Sequence, residues 1–224
     1  MHTRDSIQAQ INAALWECSP ADFIGQLNGT NLLRHVADAV AADAQAFAAK
    51  DPASFRDPAA IVQNYTSFKA VLHYRLASAI AVHEDLDQGL FGGWTAYAAL
   101  ISSRGKLLSG AELHHRCRIG QRFILDHGVG TVIGETTEVG DDCYFLGGVT
   151  LGSLGISGNP EGKRHPTVGH RVQVGAFARL LGPISIGDDV IVGPHCTITS
   201  DIPPRSKVTL KSSLQVVAEH MGAA

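Results

Sequence analysis

From residue 168 to residue 198 an aliphatic side chain returns at every sixth position, as Val168, Val174, Leu180, Ile186, Val192 and Ile198. Gly follows four of them, as Gly169, Gly175, Gly187 and Gly193, and a small or β-branched residue lies four places on, as Val172, Ala178, Ile184, Val190 and Cys196. Ile133, Val139, Phe145 and Leu151 form a second run of the same period, and Ile119 with Leu125 opens a third. A period of six matches neither the 3.6 of an amphipathic helix nor the two of a long half-buried strand. It fits the hexapeptide repeat of a parallel β-helix, in which short strands form the flat faces of a prism, the aliphatic residue points inward and the tight turns favour Gly.

The runs are out of phase, and each phase break marks an excursion from the coil. Leu125 to Ile133 is eight residues, so residues 126–131 hold a small insertion. Leu151 to Val168 is seventeen, and the Gly-, Ser- and Pro-rich residues 152–166 read as an expelled loop. Upstream, residues 6–102 read as helices. Leu32, Leu33, Val36, Val40, Ala44 and Phe47 recur at helical spacing over residues 30–50, and Asp51-Pro52 and Asp57-Pro58 each supply an N-cap followed by Pro. A further helix starts near Tyr65, another runs over residues 93–103, and Gly105 to Gly110 reads as the lead into the repeats. At the far end Pro203-Pro204 stops the coil, leaving a weakly helical tail. The expected fold class is α+β: a helical domain over residues 1–105, a parallel β-helix over 106–205 and a tail over 206–224.

Composition narrows the function. A net charge of −3 without a basic stripe argues against nucleic acid, and no apolar run is long enough for a membrane span. The absence of a signal-peptide pattern makes the cytoplasm the expected compartment. Cys18, Cys117, Cys143 and Cys196 form no Cys-x-x-Cys pair and read as reduced structural thiols.

Both excursions carry a His. In Asp126-His127-Gly128 a His near neutrality, held by a carboxylate, suits a general base for a hydroxyl or amine nucleophile; Glu112, fifteen residues upstream and so roughly on the adjacent coil, is the candidate holder. The bland alternative is a His that binds a turn carbonyl. Lys163-Arg164-His165-Pro166 offers a planar fork for a carboxylate beside an imidazole donor, or else a solvated loop end.

Taken together, Glu112-Leu-His114, the Asp126-His-Gly-Val-Gly-Thr-Val-Ile-Gly-Glu135 string, residues 148–152, Lys163-Arg-His-Pro166 and the Ile186-Gly187 repeats resemble the serine O-acetyltransferases. The resemblance covers about residues 50–205. It implies a left-handed β-helix, a homotrimer or dimer of trimers with sites between subunits, and transfer of the acetyl group of acetyl-CoA to the hydroxyl of L-serine, without a metal. It implies that His127 is the base and Glu112 its orienting carboxylate, that Asp126 meets the substrate ammonium, and that Arg164 and His165 clamp the carboxylate. Either Asp51, by its distance to Tyr74-Arg75, or Asp57, by its Arg-Asp-Pro-Ala-Ala setting, adds a second acid from the helical domain. Gly152, Gly175, Ala176 and Gly193 fall along the CoA arm. Several stretches depart from the family pattern. The loop over residues 151–165 is about three residues longer than the family pattern, Ser153-Leu154 replaces Gly-Thr, Pro194 lacks an N–H that could face the cofactor, and residues 208–213 replace a Gly-x-Pro-Ala closure. The chain also ends in Ala223-Ala224 instead of the Ile through which the family docks on the next enzyme of cysteine synthesis, so that partner is not expected. An acyltransferase for another hydroxy- or amino-substituted amino acid, a zinc-dependent lyase like the γ-class carbonic anhydrases, and a non-catalytic scaffold are the competing readings.

Overall fold

The computed structural model describes residues 3–86, 93–155, 157–159 and 161–211; the expected tail and the Ala223-Ala224 end lie outside the described residues. Helices come first: α1 (Thr3–Cys18), α2 (Ala21–Asn28), α3 (Leu32–Lys50), a 3₁₀ turn (Pro52–Ser54), α4 (Pro58–Asn64), α5 (Thr66–Leu86) and α6 (Trp94–Ser109). The stripe expected of α3 is the one it buries. The two Asp-Pro signals act as N-caps: the Asp51 side chain accepts from Ala53 N at 2.9 Å and that of Asp57 from Ala59 N at 2.8 Å. One expectation fails. Gly105 does not break the last helix, which runs to Ser109 and ends on Gly110 at φ 72°. A Cβ at Gly105 would lie 2.7 Å from the Cβ of His73, so this glycine is spent on the close approach of α5 and α6.

From Glu112 onward two- and three-residue strands pair in parallel and build three sheets. Sheet A holds β1 (Glu112–Leu113), β4 (Val132–Ile133), β7 (Thr150–Gly152), β10 (Arg179–Leu181) and β13 (Thr197–Ile198). Sheet B holds β2 (Arg118–Ile119), β5 (Glu138–Val139), β8 (Thr167–Val168) and β11 (Ser185–Ile186). Sheet C holds β3 (Ile124–Leu125), β6 (Tyr144–Phe145), β9 (Gln173–Val174), β12 (Ile191–Val192) and β14 (Lys207–Val208). The chain therefore visits A, B and C in rotation and stacks each pass in register on the one before. Every member of the period-six runs is buried inside, with the small residues four places on.

The turns between sheets repeat one conformation. Where B passes to C, residues in the left-handed region form a column of alternating charge: Arg122, Asp142, Arg171, Asp189 and Arg205. Arg122 and Asp142 make a two-pronged ion pair at 2.5 and 2.8 Å, as do Arg171 and Asp189 at 2.7 and 2.8 Å. At the end of each sheet B strand, the N–H of Gly120, Gly140, Gly169 and Gly187 donates in turn to the carbonyls of Val139, Val168, Ile186 and Ile202. Pro203, next in that register after the Ile186–Ile202 bridge, has no N–H to continue the series.

The helices are riveted to the first coil. Asp43, 0% exposed, accepts two bonds from Arg75 at 2.8 and 3.0 Å and one from Phe123 N at 2.9 Å, while Arg75 also donates to the carbonyls of Ile119 and Gly120. The Tyr74 hydroxyl donates to Cys117 O and accepts from Ile119 N. These bonds give the buried charges the partners they need and fix the orientation of α3 and α5 on the prism.

Candidate active site

The excursion after Leu125 leaves the coil at the corner between sheets C and A. His127, Gly128 and Gly130 there have φ of 61°, 71° and 78°. A Cβ on Gly128 would meet the Cβ of Ser67 at 2.8 Å, so glycine lets the turn press against the first turn of α5. That contact brings Asp51, Ala53, Asn64, Tyr65, Asp126 and His127 around one cleft of about 360 Å³. Tyr65 donates its hydroxyl to Asp51, and Tyr144 donates to Asp126 Oδ2 at 2.7 Å. The other oxygen of Asp126 faces His127 Nε2 at 3.9 Å, and the imidazole is 83% exposed. The bond to Asp51 holds the Tyr65 hydroxyl up at about 12; burial, with the bond to Asp126, pushes that of Tyr144 up as well. Both phenols therefore stay protonated at neutral pH, each giving its single proton to a carboxylate. Between the two acids left open by the sequence, Asp51 is the one in the cleft. Asp57 is exposed at the start of α4 with its carboxylate on Ala59 N.

A second group of residues sits at the corner between sheets A and B. Arg164 N and His165 N both donate to Thr136 Oγ1, at 3.0 and 3.1 Å, which pins the end of the long loop against the turn after β4. His165 Nδ1 accepts from Thr136 N at 3.1 Å, so the ring carries its proton on Nε2. That nitrogen lies 2.2 Å from where a Cβ of Gly134 would stand, so only glycine admits the ring. Burial, reinforced by the neighbouring Arg164, holds His165 below the usual imidazole range and keeps it neutral. The Arg164 guanidinium pairs with Glu135, whose carboxyl that bond pulls below its ordinary value.

Within one chain these groups do not meet. His127 lies between β3 and β4, whereas Arg164 and His165 lie between β7 and β8, along the opposite edge of sheet A. Nor does Glu112 reach His127. Among the described residues the two share no hydrogen bond or ion pair, and Lys106 Nζ takes Glu112 Oε2 at 2.5 Å. Glu112 stands on the outward side of β1, and the two-residue insertion turns His127 away toward α5. Gly175 and Gly193 occupy turns at the C-to-A corner, where a Cβ on Gly175 would lie 2.6 Å from Pro194 N. Close stacking of coils accounts for that glycine without a ligand. A larger concavity of about 650 Å³ between α3, α5 and the outer face of sheet B contains none of the expected residues. Among the described residues no three His, Cys, Asp or Glu side chains converge as metal donors, and no helix is long and apolar enough to cross a membrane.

Sequence reasoning missed Tyr65, Tyr144, Glu135 and Thr136 as members of the two groups. Tyr144 left a faint signal, a bulky polar residue at the outward position before buried Phe145, in register with the strand that leads to Asp126.

Residues 165–200 match the bacterial transferase hexapeptide (six repeats) family. The chain is 41% identical over 157 residues to a serine acetyltransferase of Helicobacter pylori, covering 70% of this chain and 84% of that one. To the serine acetyltransferase of Mycobacterium tuberculosis it is 40% identical over 162 residues, covering 68% of this chain and 64%, just under two thirds, of the relative. Its fold superposes on the crystal structure of Neisseria gonorrhoeae serine acetyltransferase in complex with serine at a TM-score of 0.74, with 26% identity over 95% of this chain and 82% of the other. A second match, at a TM-score of 0.72 and 30% identity, is serine acetyltransferase isoform 3 of Entamoeba histolytica in complex with cysteine, covering 84% and 64%. At 41% identity over a match that covers 84% of the Helicobacter pylori relative, this chain belongs to the serine acetyltransferase family.

Proposed function

We propose that this protein transfers the acetyl group of acetyl-CoA to the hydroxyl of L-serine, giving O-acetyl-L-serine and CoA. The observation that carries the proposal is the cleft in which an open imidazole, His127, stands beside two carboxylates each fixed by a tyrosine hydroxyl. Asp51 and Asp126 offer a doubly acidic seat for an ammonium group. His127 then takes the hydroxyl proton as the serine oxygen forms its bond to the thioester carbon. The carbon–sulfur bond breaks, and the proton passes to the departing thiolate. A base placed this way contributes roughly 10²- to 10⁴-fold. Holding the amino acid at both charged ends places its hydroxyl for attack.

The second end requires another chain. We infer a left-handed β-helix that assembles as a trimer or a dimer of trimers. In a cyclic trimer the interface is heterologous, so one corner of each prism meets a different corner of the next. The C-to-A corner with His127 then faces the neighbour's A-to-B corner, which supplies the Arg164 and His165 side of the substrate and brings Glu112 within range of the base. Thiol release from acetyl-CoA that depends on L-serine tests the reading. His127→Ala should lower kcat by about 10²-fold or more with CoA binding intact. A variant that keeps most of its activity would remove His127 from the mechanism, and a protein inert toward serine but active on homoserine or 2,3-diaminopropionate would change the acceptor.

A further inference from the structure

At the A-to-B corner the donors and acceptors of neighbouring coils do not balance. The register that puts Leu113 opposite Ile133 puts His114 beside Gly134 in the next coil, with His114 N donating to Ile133 O at 3.0 Å. Both residues follow an inward aliphatic side chain and so face outward. Gly134 has no side chain, and the His165 imidazole fills its place, with Nε2 2.2 Å from where the Cβ would stand. The tip of His165 therefore lies one strand spacing, ~4.8 Å, from the root of the His114 side chain. In each ring Nδ1 accepts, from Arg116 N at 3.2 Å in His114 and from Thr136 N in His165, which leaves the proton on Nε2. Burial holds His114, like His165, below the usual imidazole range and keeps it neutral. Among the described residues neither Nε2 has a hydrogen-bond acceptor. The flanking carboxylates are already engaged, since Glu135 accepts from Arg164 and Glu112 from Lys106. His115 completes the picture. It is 8% exposed, its buried Nε2 has no partner, and its ring stacks on that of His114 at 4.5 Å between centroids and 20° between planes. An imidazole buried with a nitrogen unpaired is costly, and what it does here is hold the ring in front of it.

We propose that His114 is a specificity-determining residue of the acceptor site: its Nε2–H joins Arg164 and His165 in binding the carboxylate of the amino acid, and His115 fixes the plane of its ring. The inference rests on the reading of this corner as the carboxylate side of a serine site. Adjacent N–H donors with no acceptor of their own call for an anion between them. A carboxylate has about four lone-pair sites, so it can take the guanidinium fork and both imidazole N–H groups without sharing a lone pair. The same donors select against an acceptor whose carboxylate is replaced by an amide, because the amide NH₂ would meet a donor and leave it unpaired.

Two amide substitutions divide the roles of the ring. His114→Asn keeps an acceptor for Arg116 N where Nδ1 stood and removes the outer donor, whereas His114→Gln restores a donor near Nε2 and gives up the turn bond. Titration calorimetry of L-serine should show Kd raised about 10-fold in His114→Asn, the worth of one hydrogen bond to a charged group, and about threefold or less in His114→Gln. The KM for serine should follow Kd in both. Thermal stability should run in the opposite order, with His114→Gln the lower of the two, which a purely structural role would not produce. L-serinamide should bind the wild type and His114→Asn alike. A Kd for serine within twofold of the wild type in His114→Asn would overturn the proposal, as would an equal loss for serinamide or a loss that falls on CoA instead. If neither variant folds, a crystal structure of the wild type with serine decides the matter: His114 Nε2 should lie within about 3.2 Å of a carboxylate oxygen, and a separation beyond about 4 Å would overturn the proposal. A wild type that binds serine but releases no thiol from acetyl-CoA would refute the acetyltransferase reading alone, with the calorimetric comparison still deciding the role of His114. A wild type that binds no serine would overturn both.

Discussion

Asp51 and Asp57 form a natural pair for separating catalysis from capping, because both open a short helix with the same Asp-Pro-Ala sequence and only Asp51 faces the cleft. Asn preserves the cap at either position, since its side-chain oxygen still accepts from the N–H two residues on, and Asn and Asp cap about equally well. What Asp51→Asn removes is one of two negative charges beside His127. A hydrogen bond to a charged group contributes about 1.5–3 kcal/mol and a neutral one about 0.5–1.5. The loss is therefore about 1–1.5 kcal/mol, or roughly 5- to 15-fold in KM for serine, with Asp126 still in place. Steady-state thiol release at saturating acetyl-CoA, with serine varied, measures it. Asp57→Asn should leave the KM for serine unchanged, and both variants should melt within a degree or two of the wild type. Equal KM changes in the two variants would refute the assignment, as would an Asp51→Asn variant that loses stability but binds serine normally.

Other consequences can be checked on the same protein. Asp43→Ala leaves the Arg75 guanidinium buried without its carboxylate and should cost about 3–5 kcal/mol in denaturant unfolding, whereas a loss below 1 kcal/mol would mean that water reaches the site. Burial holds the His73 imidazole below its ordinary value of 6.5. The unfolded chain therefore binds a proton as pH falls through 6.5 while the folded chain does not, and this part of the stability is complete above 6.5 and is lost below it. His73→Gln should flatten the fall of Tm between pH 7.5 and 5.5, and an unchanged slope would assign that fall to other groups.

Much of the prism was legible because its interior admits one aliphatic side chain per face, so that burial writes a period of six directly into the chain. The caps were legible for the same kind of local reason: Asp51 and Asp57 act within two residues of themselves. The site was less so. The choice between Asp51 and Asp57 turns on Tyr65, fourteen residues away, and on the lean of α5 against Gly128, which no spacing rule encodes. Gly105 carried a breaker's signature but sits mid-helix, because its meaning is set by His73 on another helix. Glu112 was placed near His127 by counting residues per coil. Counting fixes the height along the prism and not the partner; within one chain Lys106 takes the carboxylate, and a partner across a chain boundary has no signature in the count.

A stack of near-identical turns has no internal reason to stop, and a free strand edge is an invitation for a neighbour to add one more layer. The donor series along sheet B shows how this chain declines it. Each layer hands its hydrogen to the next through Gly120, Gly140, Gly169 and Gly187, and at Pro203 there is none to hand on. Within sheet B the imino acid is thus a length rule: a strand arriving end-on finds no donor at that position on which to register.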